Sequence, residues 1–283
     1  MIKKKILIIG SRGQLGSYLA KKLPRLKKYK IIQGHKKKIS LIKIKYLENK
    51  IKKLKLTAII NCSAFTDVDL CEKKKQLTRK LNFYCIKQLC EICLKNKIKL
   101  IHFSSDYVYG GKNKFYKETD NCTQLNHYGK TKFLGDNIIT NSNIKFLIFR
   151  ISFLLSGHKK SFIFKIKEKL KKNMKIKVIS NSYTSPTTIK FISDFFIQNF
   201  YKIISNQING IFNLRNKQVV SYYQVSKEIQ KNLNKKNLVT KCNYNEFPSI
   251  AKRPLHSKLD ISKVKKYFKI PNNNWKKEIK SFL

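Results

Sequence analysis

Residues 5–9 carry an unbroken apolar run, Ile6-Leu7-Ile8-Ile9, closed by Gly10. Such a run fits a strand covered on both faces. Residues 14–23 follow with Leu15, Tyr18 and Leu19 at the three-to-four spacing of one helix face. The alternation continues with strands at 29–33, 58–61, 100–104 and 146–149, and helices at 76–96 and 128–140. Short strands alternating with helices predict an α/β chain with a doubly wound parallel sheet. After about residue 151 the alternation weakens. Helices are expected at 161–172, 189–204, 221–233 and 274–282, and strands at 176–180 and 210–214. This divides the chain into a sheet domain over 1–150 and a smaller C-terminal lobe over 151–283, with part of 176–215 returning to the sheet. A chain of 283 residues with 42% hydrophobic residues can bury a substantial core.

The net charge of +48 changes the picture less than its size suggests. Nearly all of it is Lys; Arg occurs only at 12, 25, 79, 150, 215 and 253. Proteins that read phosphate backbones lean on Arg forks clustered on one face. Here Lys is spread from end to end beside abundant Ile, Asn, Phe and Tyr, all writable with A- and T-rich codons. The charge is read as compositional bias, and no nucleic-acid partner is expected. It still favours anionic small ligands. The seven cysteines include Cys90-Glu-Ile-Cys93, which has no second CxxC or His pair to complete a zinc site. Reduced thiols in a cytoplasmic protein are expected. No span approaches the ~20 apolar residues of a membrane helix, so no membrane partner is expected, and Ile6–Ile9 is too short for a signal peptide.

The first strand runs into Gly10-Ser11-Arg12-Gly13-Gln14-Leu15-Gly16, a GxxGxxG loop that opens a helix. Glycine permits the tight turn and lets backbone approach a pyrophosphate, while the helix start offers free N–H groups. In this position the loop makes the sheet Rossmann-like and predicts a dinucleotide site. The candidate cofactor contacts are Gly10, Arg12, Gly13, Gln14, Leu15 and Gly16. The end of the second strand reads Gly34-His35-Lys36-Lys37-Lys38, with no carboxylate for a ribose 2′-hydroxyl. Cations there, with His35 and Lys36 foremost, suit a 2′-phosphate, so NADPH is favoured over NADH.

The fourth strand ends in Ser104-Ser105-Asp106-Tyr107-Val108-Tyr109-Gly110, and Tyr128-Gly129-Lys130-Thr131-Lys132 comes later. On a helix, Tyr128 and Lys132 share one face. A phenol is a poor acid–base group at neutral pH, and an ammonium one turn away is expected to lower its pKa. Ser105, at a strand end, can hydrogen-bond a substrate carbonyl as charge develops on its oxygen.

The order of these elements resembles the dTDP-4-dehydrorhamnose reductase family of extended short-chain dehydrogenases along nearly the whole chain. The resemblance rests on GSRGQLG (10–16), INCSAFTDVDLCE (60–72), Leu81-Asn82, LIHFSSDYVYGG (100–111), ETD (118–120), YGKTKFLGD (128–136), FRISF (149–153), SPT (185–187) and AKRPLHSKLD (251–260). It implies that Tyr128 donates a proton to a sugar C4 oxygen, that Lys132 holds the nicotinamide ribose, and that Ser105 stands where the family has Thr. Ala64, Phe65 and Thr66 would line the cofactor, with Asn82 holding that side of the sheet. Asp106, Phe153, Arg253 and Ser257 would join Ser105 and Tyr128 at a nucleotide-sugar substrate.

Three stretches depart from the family. Phe153 replaces a Trp expected at the sugar, Ser180–Thr184 replaces an Asn-Asp-Gln-aromatic-Gly stretch, and Ser40 stands where an acidic residue is usual. The glutamates that bind magnesium in some relatives have no assignable counterpart, so magnesium is left open and no metal residue is assigned. The oligomeric state is also open, a homodimer included. Asp67 and Asp69 read as a solvated helix start, His102 as a satisfied core residue and Trp275 as packing for the last helix. The competing readings are a reductase or epimerase of another nucleotide sugar and a non-catalytic dinucleotide-binding subunit. Intact Ser105, Tyr128 and Lys132 argue against the latter.

Overall fold

In the computed structural model, residues 3–34, 41 and 44–283 are described. The first half runs β1 (Lys4–Ile9), α1 (Gln14–Lys22), β2 (Tyr29–Gln33), α2 (Ile44–Leu54), β3 (Ala58–Asn61), α3 (Val68–Lys73), α4 (Lys75–Arg79), a π turn at Lys80–Tyr84, α5 (Cys85–Lys95), β4 (Lys99–Ser105), β5 (Phe115–Tyr116), α6 (His127–Thr140) and β6 (Phe146–Ile151). The second half runs β7 (Leu154–Leu155), α7 (Phe162–Lys171), β8 (Ile176–Ile179), β9 (Tyr183–Thr184), β10 (Thr187–Thr188), α8 (Ile189–Ile204), β11 (Gly210–Leu214), β12 (Val220–Ser221), α9 (Tyr222–Asn232), β13 (Val239–Cys242), β14 (His256–Leu259), α10 (Ser262–Tyr267) and α11 (Trp275–Lys280).

The main sheet has six strands in the order β11-β6-β4-β3-β1-β2. Every pairing in it is parallel. The apolar runs explain this: β3 and β4 are buried at every residue, as a strand with helices on both faces must be. On one face, Phe191, Phe195 and Phe196 of α8 pack with α1 over Phe103 and Phe149. On the other, α2 and α5 cover Leu7, Ile59, Leu100 and Ile148. The strand order reverses between β1 and β3, which opens a crevice at the carboxyl ends of the strands.

The lobe has its own core, in which Leu155, Ile163, Val225, Val239 and Trp275 pack together. Its strands are short: a four-stranded sheet in the order β12-β9-β14-β5 and a β13-β8 pair. Within 176–215, β8 pairs in the lobe, whereas α8 and β11 return to the sheet.

The single helix expected at 76–96 runs without a gap over 75–95, with a π turn set inside it at Lys80–Tyr84. A π turn inserts a residue into the helical ladder and redirects its side chains. The sequence pattern also left α2 and most lobe strands unread. Two-residue strands carry no period to detect.

Candidate active site

The glycine turn leaves β1 with Gly10 at φ +80°, in the left-handed region. A Cβ at Gly10 would lie 2.8 Å from the Cys62 carbonyl carbon and the Ser63 nitrogen, beyond β3. A Cβ at Gly16 would run into the Gly10 carbonyl. The Gly13 N–H donates to that carbonyl at 2.9 Å, and Gly13 begins α1 with no side-chain cap. The cradle thus offers bare backbone N–H groups at a helix start, which fits a dinucleotide pyrophosphate. Arg12 is exposed in the turn. Leu15 puts its side chain in the core, so only its backbone faces the cradle. Gln14 Oε1 accepts from Ser156 Oγ at 2.8 Å, tying the turn to the lobe side. His35 and Lys36, and the departure at Ser40, lie outside the described residues.

The loop after β3 carries Ala64, Phe65 and Thr66 along the same edge. Asn82 reaches this loop from the π turn. Its Oδ1 accepts from the Phe65 N–H at 2.8 Å, and its Nδ2 donates to the Phe65 carbonyl at 3.0 Å and to Thr131 Oγ1 at 3.2 Å. Asn82 therefore pins the loop to α6.

Helix α6 starts at an Asn126 cap, whose Oδ1 accepts from the Gly129 N–H at 2.8 Å. A Cβ at Gly129 would strike the Tyr107 carbonyl, so glycine lets the first turn press against the end of β4. That brings Tyr128 beside Tyr107, with ring centres 5.6 Å apart, edge to face. Lower on the helix, Asp136 pairs with Arg150 of β6 at 3.0 Å, both fully buried, and Arg150 also donates to the Tyr109 hydroxyl.

The electrostatics depart from expectation at Tyr128. Burial raises its pKa well above the ordinary phenol range, and a hydrogen bond with Ser105 only partly offsets this. Lys132 does not lower it, because the amine turns inward. Nζ lies 2.9 Å from His102 Nε2 and donates to the Phe103 carbonyl at 2.8 Å. Burial depresses Lys132 to about 8. His102, pushed far below its ordinary value by burial, is neutral.

Two expected substrate contacts are differently placed. Asp106 accepts from Ser105 Oγ at 3.0 Å and from Ser152 Oγ at 2.6 Å, and Ser152 in turn bonds Thr184. Ser257 Oγ donates to the same Thr184 hydroxyl at 3.1 Å. Asp106 and Ser257 are buried, and their polar atoms are used within this hydroxyl cluster. They join strand ends to lobe in the same cluster that holds Ser105.

The wall above Tyr128 is aromatic and cationic. Phe153 packs on Tyr222 with ring centres 4.5 Å apart and on Phe162 at 5.2 Å. Arg253 sits near Tyr107 and Tyr222, and its guanidinium pairs with Asp69 of α3 at 2.7 Å. The Ala251 N–H donates to the other Asp69 oxygen, and Asn126 Nδ2 donates to the Lys252 carbonyl. The loop carrying Arg253 is thus held from two helices. Asp67 caps α3 as a helix-start residue does, but Asp69 is a long-range anchor.

The description that matches this chain is the RmlD substrate binding domain, over residues 4–283. The chain belongs to that family. It is 30% identical to the dTDP-4-dehydrorhamnose reductase of Aggregatibacter actinomycetemcomitans, over 98% of this chain and 97% of that one. The dTDP-4-dehydrorhamnose reductase of Bacillus anthracis, solved in complex with NADP, superposes with a TM-score of 0.91 at 25% identity, covering 99% of each chain. A Clostridium acetobutylicum dTDP-4-dehydrorhamnose reductase gives 0.90 at 28%, covering 98% of each. The UDP-glucose 4-epimerase of Thermus thermophilus, at 13% identity and a TM-score of 0.82, shares the fold.

His102 is the satisfied core residue that the sequence led one to expect, with both ring nitrogens partnered. Sequence reasoning did not single out Asn61, Tyr107 or Tyr222 and read Asp69 only as a helix-start acid; Asn61 sits inside a quoted motif, and its strand-end position was the available signal. Among the described residues, no helix is long and apolar enough to cross a membrane, and no group of three or more His, Cys, Asp or Glu is placed to hold a metal.

Proposed function

We propose that this protein reduces the C4 keto group of dTDP-4-dehydrorhamnose to give dTDP-rhamnose. The relatives carry that name over nearly the full chain. What supports the reading is that Tyr128 meets Ser105 at the carboxyl end of β4, on the edge that holds the glycine cradle, with Lys132 one helical turn on from Tyr128.

NADPH, when bound, supplies hydride to the sugar C4 carbon. Gly10, Gly13 and Gly16 would cradle its pyrophosphate, with Gln14 and the Leu15 backbone at the helix start. Ala64, Phe65 and Thr66 would line its edge, held by Asn82. Arg12 is suited to a 2′-phosphate, as are His35 and Lys36 by sequence. Tyr128 moves the proton from its phenol oxygen to the C4 oxygen. Its raised pKa keeps the phenol protonated at neutral pH, the state a proton donor needs. Ser105 hydrogen-bonds the same carbonyl. Phe153, Tyr107 and Tyr222 form the sugar wall, and Arg253 meets the nucleotide's charge. The reading places the protein in the cytoplasm, where its seven thiols remain reduced, and a homodimer is the assembly to test by sedimentation.

The test is NADPH oxidation with dTDP-4-dehydrorhamnose. Tyr128→Phe is expected to lower kcat about 10²–10⁴-fold. Equal rates for native chain and variant would remove the mechanism.

A further inference from the structure

Beside the carboxyl end of β3, three buried polar side chains stand in a row, from Asn61 through His102 in the middle of β4 to Lys132 of α6. Asn61, His102 and Lys132 are each at most 2% exposed. The Ser63 N–H donates to Asn61 Oδ1 at 3.0 Å, Asn61 Nδ2 lies 3.0 Å from His102 Nδ1, and His102 Nε2 lies 2.9 Å from Lys132 Nζ.

Hydrogen-bond accounting fixes the protons along this row. A backbone N–H can only donate, so the Asn61 oxygen must face Ser63. The Asn61 amide nitrogen, which can also only donate, then faces His102 Nδ1. That ring nitrogen is therefore the acceptor and bears no hydrogen. A neutral imidazole must then carry its proton on Nε2, pointing at Lys132. An ammonium has three hydrogens and no lone pair, so it cannot accept from that N–H. A neutral amine can, while it donates to the Phe103 carbonyl.

We propose that Asn61 is a positioning residue that, through the tautomer of His102, holds inward-turned Lys132 as a neutral amine. Lys132 takes up a proton only when Nζ leaves Nε2 or when the Asn61 amide turns over and gives up Ser63. The charge on this lysine is thereby coupled to its position. This inference rests on the catalytic reading above for its consequence, not for its geometry.

The groups facing the lysine do not reverse the argument. On its own helix, Asp136 favours the ammonium, but that carboxylate is shared with Arg150 of β6. Tyr128, one turn away, is held protonated by burial, and Asp106 after β4 and Cys71 of α3 push it the same way. From β4 the facing group is His102.

Two measurements on the full chain test the proposal. The ¹⁵N shifts of His102 in the native chain report the tautomer directly. Protonation at Nε2 is expected, and protonation at Nδ1 overturns the proposal. In the second, the Lys132 titration is followed by NMR of ¹³C-labelled lysine, assigned by loss of its signal in Lys132→Met. In Asn61→Asp the carboxylate can accept from both Ser63 and His102 Nδ1–H, leaving Nε2 free to accept from an ammonium. The Lys132 midpoint should rise by about one to three pH units. His102→Gln, whose amide oxygen can face the lysine, should move it in the same direction. An unmoved midpoint in these variants overturns the proposal even if Tyr128→Phe abolishes activity. A moved midpoint with an active Tyr128→Phe would instead sink the catalytic reading alone.

Discussion

Strand β4 meets two buried lysine amines, that of its own Lys99 and that of Lys132 from α6, and the two are held in opposite ways. At the amino end, Lys99 is 2% exposed and donates to the carbonyls of Ser205 and Ile208, just after α8. Farther along the strand, Lys132 shares its amine between one carbonyl and the ring of His102. Burial lowers both from 10.5 to about 8. The shift is the same, so the shift does not distinguish the two regions; the partners do. Carbonyls accept from an amine or an ammonium alike, so Lys99 has one place to be. An imidazole N–H competes for the lone pair, so Lys132 has two. The amino edge of the sheet spends its buried polar groups on joining elements, and the carboxyl edge leaves one poised.

The largest effect should come from removing each lysine in turn. Lys132→Met is expected to lower kcat/KM about 10²–10⁴-fold, whereas Lys99→Met should leave it nearly unchanged in the NADPH assay. Comparable losses would erase the contrast between the edges. Next is Asp136→Ala, which strands the buried Arg150 guanidinium beneath the site. Urea unfolding should show a loss of about 3–5 kcal/mol.

The pH dependence of stability separates Lys99 further. Its folded pKa is depressed, so between about 8 and 10.5 the unfolded chain binds a proton that the folded chain does not. The native chain should therefore gain stability relative to Lys99→Met as pH rises through that window, and parallel curves would show that the depression is absent. The smallest effect concerns two helix caps. Ser161 caps α7, its Oγ accepting from the Phe164 N–H at 3.1 Å, and Asn126→Ala and Ser161→Ala should each cost about 1 kcal/mol. Only Asn126→Ala should also raise KM for the sugar nucleotide, because it alone releases the Lys252 carbonyl beside Arg253.

The sheet was legible because its strands are buried on both faces and write their burial as apolar runs. The glycine turn was legible because close approach there demands residues without side chains. Tyr128 and Lys132 were legible because a helix turns fixed spacing into a shared face. The burial of His102 was legible too, but its partners were not: a histidine in a buried strand looks the same in sequence whichever side chains its ring nitrogens meet. Asp69 read as a helix-start acid because its partner, Arg253, is 184 residues away. The hydrogen bonds that tie Asp106 and Ser257 to Ser152 and Thr184 were not legible, because their partners lie far away in the chain. The helix at 76–96 was legible, but the π turn within it that presents Asn82 was not, because it leaves the apolar spacing nearly intact.

By itself, the sequence determined the alternating sheet, the cradle for a dinucleotide and the tyrosine–lysine face, since each depends on interactions within a few residues or on burial of a whole run. Tertiary structure alone decided which way the lysine points, which carboxylates are anchors and which tyrosines wall the site. Those outcomes depend on hydrogen bonds between strand ends and loops far apart in the chain, where a donor has one or two acceptors within reach and only the folded geometry selects among them.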